Sequence, residues 1–522
     1  MTSPFKLALT GAAFASVLAL GARAQAAPQP LSIAIVVGSN HSPSANVESL
    51  RYGDDDAVQN ARTLALLGAQ TTLLVAPDAE THELFPNTHP QGPATRAALR
   101  AAFDGAKATL AAAHASGRPT ELYFLFAGHG DMADGRPFLQ LDDARLWRED
   151  LAEMLRDAGA DENHVLVDAC YAASFVSDRG PGGDREELPP GFSRTQVAWP
   201  KRTGFLTARS ADGRTHEWAE YQSGVFSHEL RSGLMGAADV NVDGKVTYRE
   251  IAAFVTRANE AIPNRRYRPE VSTMPPGGDL DAILATLPAG PMVLEMNVAP
   301  TGRSYVETEK GVRLVDMHQG LGAPIRLRLP VDMGNLFVEE VDGVSNEPTR
   351  EFRFAPHAGQ ILLSALTPET TTLRARGAGH EAFLHLFARP FDAAAVTSFE
   401  LDDTDAAELA WEQKVDDARN QRTFRRKLAL GALGLGVATA AVGGWSLWSA
   451  HQLYDEYGKK GAYNQHASTE EGQRNVAGTV LLGVAGASAI TGALLYFWPS
   501  APNLSVASAP GCEACLAYQR SF

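Results

Sequence analysis

Apolar and polar positions follow three different rhythms along this chain. From residue 31 to about 268, short apolar runs alternate with stretches of helical spacing. Leu31-Ser-Ile-Ala-Ile-Val-Val37 runs into Gly38, as a strand buried on both faces does. Asp54 to Leu67 has helical spacing and stops at Gly68. Thr71 to Val75 predicts a second strand, Ala94 to Ala115 a helix, and Glu121 to Phe126 a third strand. Arg148 to Ala158 predicts another helix, and His164 to Asp168 a fourth strand. Strands alternating with helices predict an α/β unit on a parallel sheet over residues 30–268.

The rhythm changes after the breaker-rich stretch from Pro275 to Pro291. β-prone runs then recur at Met292 to Val298, Pro324 to Leu329, Asn335 to Val341, Gln360 to Leu363 and Ala382 to Phe387. They predict a small all-β domain over 292–400. Residues 401–427 read as a charged helical stalk. Beyond it, 428–450 and 476–498 carry no charge, and each exceeds the roughly 20 residues that cross a bilayer core. Trp445, Trp448, Tyr496 and Trp498 sit toward their ends as interfacial anchors do, and both runs are rich in Gly and Ala. The pattern predicts two transmembrane helices joined by a loop at 451–475 and followed by a tail at 499–522, so that the hairpin makes a membrane the first expected partner.

The N-terminus has Lys6, an apolar stretch from Leu7 to Gly21, and A-x-A sites ending at Ala24 and Ala26. That is the layout of a secretory signal over 1–26. The expected location is exported and membrane-anchored, with 30–268 on the periplasmic or extracytoplasmic side. Charge opposes this: Arg419, Arg422, Arg425, Arg426 and Lys427 precede the first span, against Lys459, Lys460 and Arg474 in the loop. The positive-inside bias alone would hold the main part in the cytoplasm, but exported domains cross largely regardless of nearby charge. The signal therefore sets the expectation.

Length and composition narrow the chemistry. A chain of 522 residues is too long for one core, and its net charge of −15 argues against a nucleic-acid partner, which would want a basic face. Three cysteines, Cys170, Cys512 and Cys515, are too few for a disulfide framework. Cys512 and Cys515 offer two zinc ligands with no neighbour to complete four, so a local disulfide or no function is expected there. Cys170 stands alone, and with His129 it falls just past the carboxyl ends of two successive predicted strands, where α/β sheets place their chemistry. An imidazole beside a thiol makes the nucleophilic thiolate at neutral pH. The glycines flanking His129 allow close backbone approach, and the N–H groups of Gly130 and Cys170 are candidate oxyanion donors.

The run Tyr-Phe-Leu-Phe-Ala-Gly-His129-Gly130, followed by Val-Leu-Val-Asp168-Ala-Cys170-Tyr, resembles the caspase and metacaspase family of cysteine peptidases. So do Ile-Val-Val-Gly38, Arg51-Tyr-Gly-Asp-Asp-Asp56-Ala and Gly224-Val-Phe-Ser-His-Glu-Leu-Arg-Ser-Gly233. The resemblance covers roughly residues 30–265. It implies a caspase-like parallel-sheet fold and a cysteine endopeptidase with His129 and Cys170 as its dyad, acting on protein or peptide substrates and needing no cofactor for the chemistry. Asp168 stands where caspases have Gln and metacaspases have Asp. In metacaspases that residue lines the primary specificity pocket, which implies cleavage after Arg or Lys. Tyr171-Ala172-Ala173 departs from the small polar residue and Gly usual after the nucleophile, which bears on activity while leaving the dyad intact. Arg179, Arg185, Arg194, Lys201 and Arg202 lie in a breaker-rich loop where relatives are often cut, so self-processing is an expectation, beside an ordinary solvated loop.

A second motif stands within the same unit. Asp239-Val-Asn241-Val-Asp243-Gly244-Lys245-Val-Thr247-Tyr-Arg-Glu250 matches the twelve-residue calcium-loop pattern, with Lys245 offering its carbonyl. Calcium is the expected ligand, as a brace or a regulator. The rival to the peptidase is a catalytically inactive caspase fold serving as a calcium-responsive binding module at the membrane.

Overall fold

The computed structural model describes residues 29–42, 48–134, 136–176, 199–209, 216–265, 267–288, 292–297, 303–320, 324–342, 348–369, 383, 385–401, 403–458, 465–497, 503–509 and 512–519. The expected signal at 1–26 and the basic residues Arg179, Arg185 and Arg194 lie outside them. The chain divides into two compact units, residues 1–405 and 406–522.

The first unit is built on a six-stranded sheet. Its strands are β1 (Leu31–Ser39), β2 (Gln70–Leu74), β3 (Thr120–Gly128), β4 (Glu162–Asp168), β5 (Thr203–Arg209) and β6 (Glu270–Met274). Their spatial order is β6-β5-β4-β3-β1-β2, parallel throughout except for the antiparallel edge strand β6. The helices that matter to the site are α1 (Gly53–Leu66), α2 (Arg96–Ala115), α3 (Arg148–Ala158), α4 (Val225–Ser232) and α5 (Tyr248–Asn259). Thr95 caps α2 by accepting from Ala98 N, and α3 stops at Gly159 in the left-handed conformation that glycine adopts without strain. The period-two alternation of the strands divides the core. Ala34, Val36, Tyr123, Leu125, Leu166 and Leu206 join a cluster with α1, α4 and α5. On the other face, Phe124 meets Phe103 of α2, ring centroids 6.3 Å apart.

After β6 come β7 (Met292–Asn297), β8 (Arg303–Thr308), β9 (Arg313–Met317), β10 (Pro324–Arg328), β11 (Leu336–Val341), β12 (Pro348–Phe354) and β13 (Gly359–Leu362). They form a three-stranded sheet, β10-β7-β13, and an antiparallel four-stranded sheet, β9-β8-β11-β12. Their apolar side chains belong to the same core cluster as α4 and α5, so the α/β and all-β parts share one interior. The strand expected at Ala382 to Phe387 does not form among the described residues there. Phe387 has φ 57°, outside the strand region, and its N–H donates to Ala258 O at 2.8 Å. Phe383, Leu386 and Phe387 are buried, so aromatic packing outweighs β propensity.

The second unit carries most of α6 (Asp403–Leu453) and all of α7 (Gln465–Phe497). The segments Thr423–Tyr457 and Gln465–Phe497 are long and apolar enough to cross a membrane. They pack closely through glycine. A Cβ on Gly478 would stand 2.6 Å from Leu447 Cγ, and one on Gly492 would stand 2.8 Å from Leu433 Cγ. The fold class is therefore the expected one: an α/β parallel sheet, then an all-β part, then two apolar helices.

Candidate active site

β3 and β4 are neighbours, with Ala127 opposite Asp168. Two residues further along each strand end stand His129 and Cys170. A Cβ on Gly130 would fall 2.0 Å from the Cys170 carbonyl oxygen and 3.2 Å from Ala169 Cβ, so only glycine lets the two strand ends approach this closely. The chain then turns into a small antiparallel sheet of Gly130–Ala133, Arg136–Gln140 and Arg145–Trp147, which the sequence pattern did not reveal. Gln140 N donates to His129 O at 2.9 Å, so this sheet holds the histidine backbone.

The imidazole is buried, and its Nε2 lies 3.0 Å from the Glu48 carbonyl oxygen. A carbonyl only accepts, so Nε2 carries the hydrogen and Nδ1 keeps the lone pair. Burial lowers the His129 pKa against the opposing effects of the Glu48 bond and Asp131, which leaves the ring neutral at neutral pH. Its state is that of a base. Cys170 is partly exposed and is not in a disulfide. The next residue, Tyr171, has φ 56°, an uncommon conformation for a bulky side chain. Glu48 was invisible to sequence reasoning because its contribution is a main-chain carbonyl, which any residue supplies.

Asp168 is buried at the N-terminus of α4. Its Oδ2 accepts from Ser227 N at 3.0 Å, and a Cβ on Gly224 would stand 2.6 Å from that oxygen. Burial, reinforced by the neighbouring charge of Asp56, pushes Asp168 up to about 7. Asp56 shares the same helix end: its Oδ2 accepts from Gly224 N at 2.7 Å and its Oδ1 from Arg231 Nη1 at 2.9 Å. The Ser223 hydroxyl bonds Asp56 as well. Glu217 accepts from Tyr52 N at 2.8 Å and is pushed up to about 7, chiefly by burial, with Asp56 adding to the shift. Asp168, Asp56 and Glu217 thus stand in mutual electrostatic range, with buried Arg231 beside Asp56. Sequence reasoning found Asp168 alone. Asp56 stood in the Arg51 to Ala57 stretch of the resemblance with no role attached to it, and Glu217 carried no signal.

The calcium-type loop is a separate group. It follows α4 through a π-turn, Gly233–Ala237, and leads into α5. Asp239 accepts from Asp243 N at 3.1 Å and Gly244 N at 3.0 Å, Asn241 from Asp243 N at 2.9 Å, and Asp243 from Lys245 N at 2.9 Å. Gly244 has φ 79°, the turn that position requires. Glu250 Oε2 accepts from both Thr247 N and Oγ1 at 2.9 Å, capping α5. Burial raises Asp239 and Glu250, and neighbouring carboxylates add to both shifts. Among the described residues no three His, Cys, Asp or Glu side chains converge as a metal cluster. The donors are nonetheless all oxygens, and two buried carboxylates repel one another there, so the chemistry of the set fits a hard cation.

The fold is α/β, on a parallel sheet that brings a histidine and a cysteine to adjoining strand ends. No protein-family model and no curated protein matches the chain. Among solved structures, caspase-1 from Spodoptera frugiperda is similar at 11% identity and a TM-score of 0.29, covering 47% of this chain and 87% of that one. A structure of pro-sf-caspase-1 is similar at 13% identity and a TM-score of 0.28, covering the same shares.

Proposed function

We propose that residues 30–268 form a cysteine endopeptidase of caspase or metacaspase type that cleaves after Arg or Lys. The observation that carries it is the orientation of His129. With Nε2–H donating to Glu48 O, the neutral ring offers Nδ1 as a base at the strand end beside Cys170. In the reaction, Cys170 Sγ attacks the carbonyl carbon and its proton passes to His129 Nδ1. The N–H groups of Gly130 and Cys170 stabilise the oxyanion. The imidazolium returns the proton to the leaving amine, and water attacks the acyl-enzyme with His129 again as base. Asp168, with Asp56 and Glu217 nearby, supplies the negative charge that a desolvated guanidinium or ammonium group requires.

Asp239, Asn241, Asp243, Thr247 and Glu250, with the Lys245 carbonyl, would hold calcium. The ion would brace the connection between α4 and α5 and take no part in the chemistry. Calorimetry with calcium alone on the full chain tests this apart from turnover: heat lost in Asp243→Ala supports the site. The two apolar helices anchor the chain in a membrane, with the peptidase on the exported side. Tyr171, bulky and left-handed beside the nucleophile, favours a second reading, an inactive fold that binds calcium and partners.

The test is hydrolysis of peptides ending in Arg, Lys or Asp by the full chain in detergent micelles, beside Cys170→Ala and His129→Ala. Cleavage after Arg or Lys, reduced about a thousandfold or more in both variants, is expected. A folded chain that binds calcium and cleaves no peptide would replace the peptidase with the binding module.

A further inference from the structure

Helix α4 is gripped at two adjacent residues from opposite directions. Ser227 gives its N–H to Asp168 at 3.0 Å. His228 places Nε2 2.9 Å from Oδ2 of Asp316, on strand β9 of the all-β part. Both members of that pair are fully buried. Burial lowers His228 to about 4, against the pull of Asp316, so the ring is neutral and donates Nε2–H to the carboxylate. One turn on, Ser232 donates its hydroxyl to His228 O at 2.8 Å and accepts from Asp316 N at 3.0 Å. Asp316 therefore holds α4 through both its side chain and its backbone.

Asp316 is itself fixed. Arg303 on β8 reaches its Oδ1 with Nε and Nη2, both at 3.2 Å. Arg313 Nη1 stands 3.7 Å from Oδ2, while its Nη2 reaches Glu220 at 3.2 Å and its guanidinium stacks 3.6 Å from the Tyr305 ring centroid. Two arginines face Asp316 and Glu220, so the cluster is balanced in charge. Such a network costs desolvation, and its best-attested use is to select one arrangement of the elements it joins.

We infer that Asp316, held by Arg303 and Arg313, is a positioning residue for the specificity pocket, setting α4 through His228 so that Ser227 and Gly224 present Asp168 and Asp56 to a basic substrate side chain. On the peptidase reading above, the all-β part is then a component of substrate selection. It acts on the pocket and leaves the dyad to the strand ends of β3 and β4.

The test uses the full chain in detergent micelles, with Asp316→Asn, His228→Gln and, as a control in the same sheet, Arg350→Ala. Four quantities are read: KM and kcat on an Arg-ending peptide, the rate at which iodoacetamide alkylates Cys170, and amide exchange at Ser227. In both network variants KM is expected to rise roughly tenfold with kcat and alkylation nearly unchanged, and Ser227 to exchange faster. The control moves none of them. An unchanged KM in a folded variant overturns the inference. So does a joint fall of kcat and alkylation, or failure of both variants to fold, because either marks a merely structural cluster. If the unaltered chain cleaves nothing, the peptidase reading has failed, and Ser227 exchange decides on positioning alone: protection unchanged by Asp316→Asn overturns it.

Discussion

Asp168 and Asp316 are both buried and both carry a hydrogen bond from α4, yet their pKa values move in opposite directions. Burial pushes Asp168 up to about 7, with Asp56 adding to the shift and the Ser227 hydrogen bonds opposing it. Burial pushes Asp316 the same way, but Arg313, Arg303 and the His228 bond overcome it and hold the carboxyl below its usual range. Burial thus supplies the stress and the nearest cation decides the charge state. The contrast assigns different work to the two acids. Asp316 has its cations built in and acts by holding α4 in place. Among the described residues, Asp168 has no paired cation while Asp56 has Arg231 and Glu217 has Arg51 nearby, and a basic substrate side chain would supply the missing one.

The largest effect expected from this contrast is on stability, with opposite signs at the two acids. Asp316→Ala leaves Arg303 and Arg313 facing an uncompensated buried gap, a loss of about 3–5 kcal/mol. Asp168→Asn keeps an oxygen to accept from Ser227 N and removes a charge that Asp56 and Glu217 repel. It should stabilise the chain by about 1–3 kcal/mol near pH 8, the gain vanishing toward about pH 4, where both forms are neutral. Thermal unfolding at the two pH values measures both. Asp168→Asn less stable than the unaltered chain near pH 8 would end the comparison. The same variant should lose about a hundredfold in kcat/KM on Arg-ending peptides.

A middle-sized effect is the pH dependence of the whole unit. Asp168 and Glu217 are raised to about 7 and Asp55, by burial and Asp54, to about 8. Groups raised in the folded state contribute stability that is full below their unfolded pKa near 4 and is lost as pH rises through 7 to 8. Asp316, depressed, contributes above that unfolded pKa and is lost only in stronger acid. Buried His164, His228 and His318, lowered by burial to about 3, 4 and 3, withdraw stability as pH falls below about 6.5 and offset what the acids gain there, so the net decline should appear from about pH 6.5 to 8. Substrate binding should run the other way. KM for Arg-ending peptides is expected to fall as pH rises through about 7 and Asp168 ionises. A KM that is flat across that range would separate the pocket from Asp168.

The sheet was legible because unbroken apolar runs ending in Gly38 and at the strand ends before His129 and Cys170 carry their own punctuation. The placement of those two residues at adjoining strand ends followed from the order of the strands. The acids beside Asp168 were not legible. Asp54-Asp55-Asp56 has the composition of a solvated helix start, and the partners that hold Asp56 in the interior, Ser223, Gly224 and Arg231, lie more than 160 positions away. The hold of Asp316 on His228 spans 88 positions and has no local periodicity to betray it. Local patterns reveal which face of a strand is buried, but not which distant charge neutralises a buried acid.

The smallest effect tests the same rule at the surface. Arg350 pairs with Glu340 between β12 and β11, in the sheet that carries Asp316. The Arg350 side chain is 52% exposed, so water screens the pair and solvates either partner left alone. Arg350→Ala should cost less than about 1 kcal/mol, and less again at high salt. Asp316→Ala, an equally simple removal of one charge from an ion pair, should be little relieved by salt, because no ions reach Arg303 and Arg313. If the two losses were comparable, or fell equally with added salt, the cluster around Asp316 would be hydrated, and its claim to set α4 would fail with it.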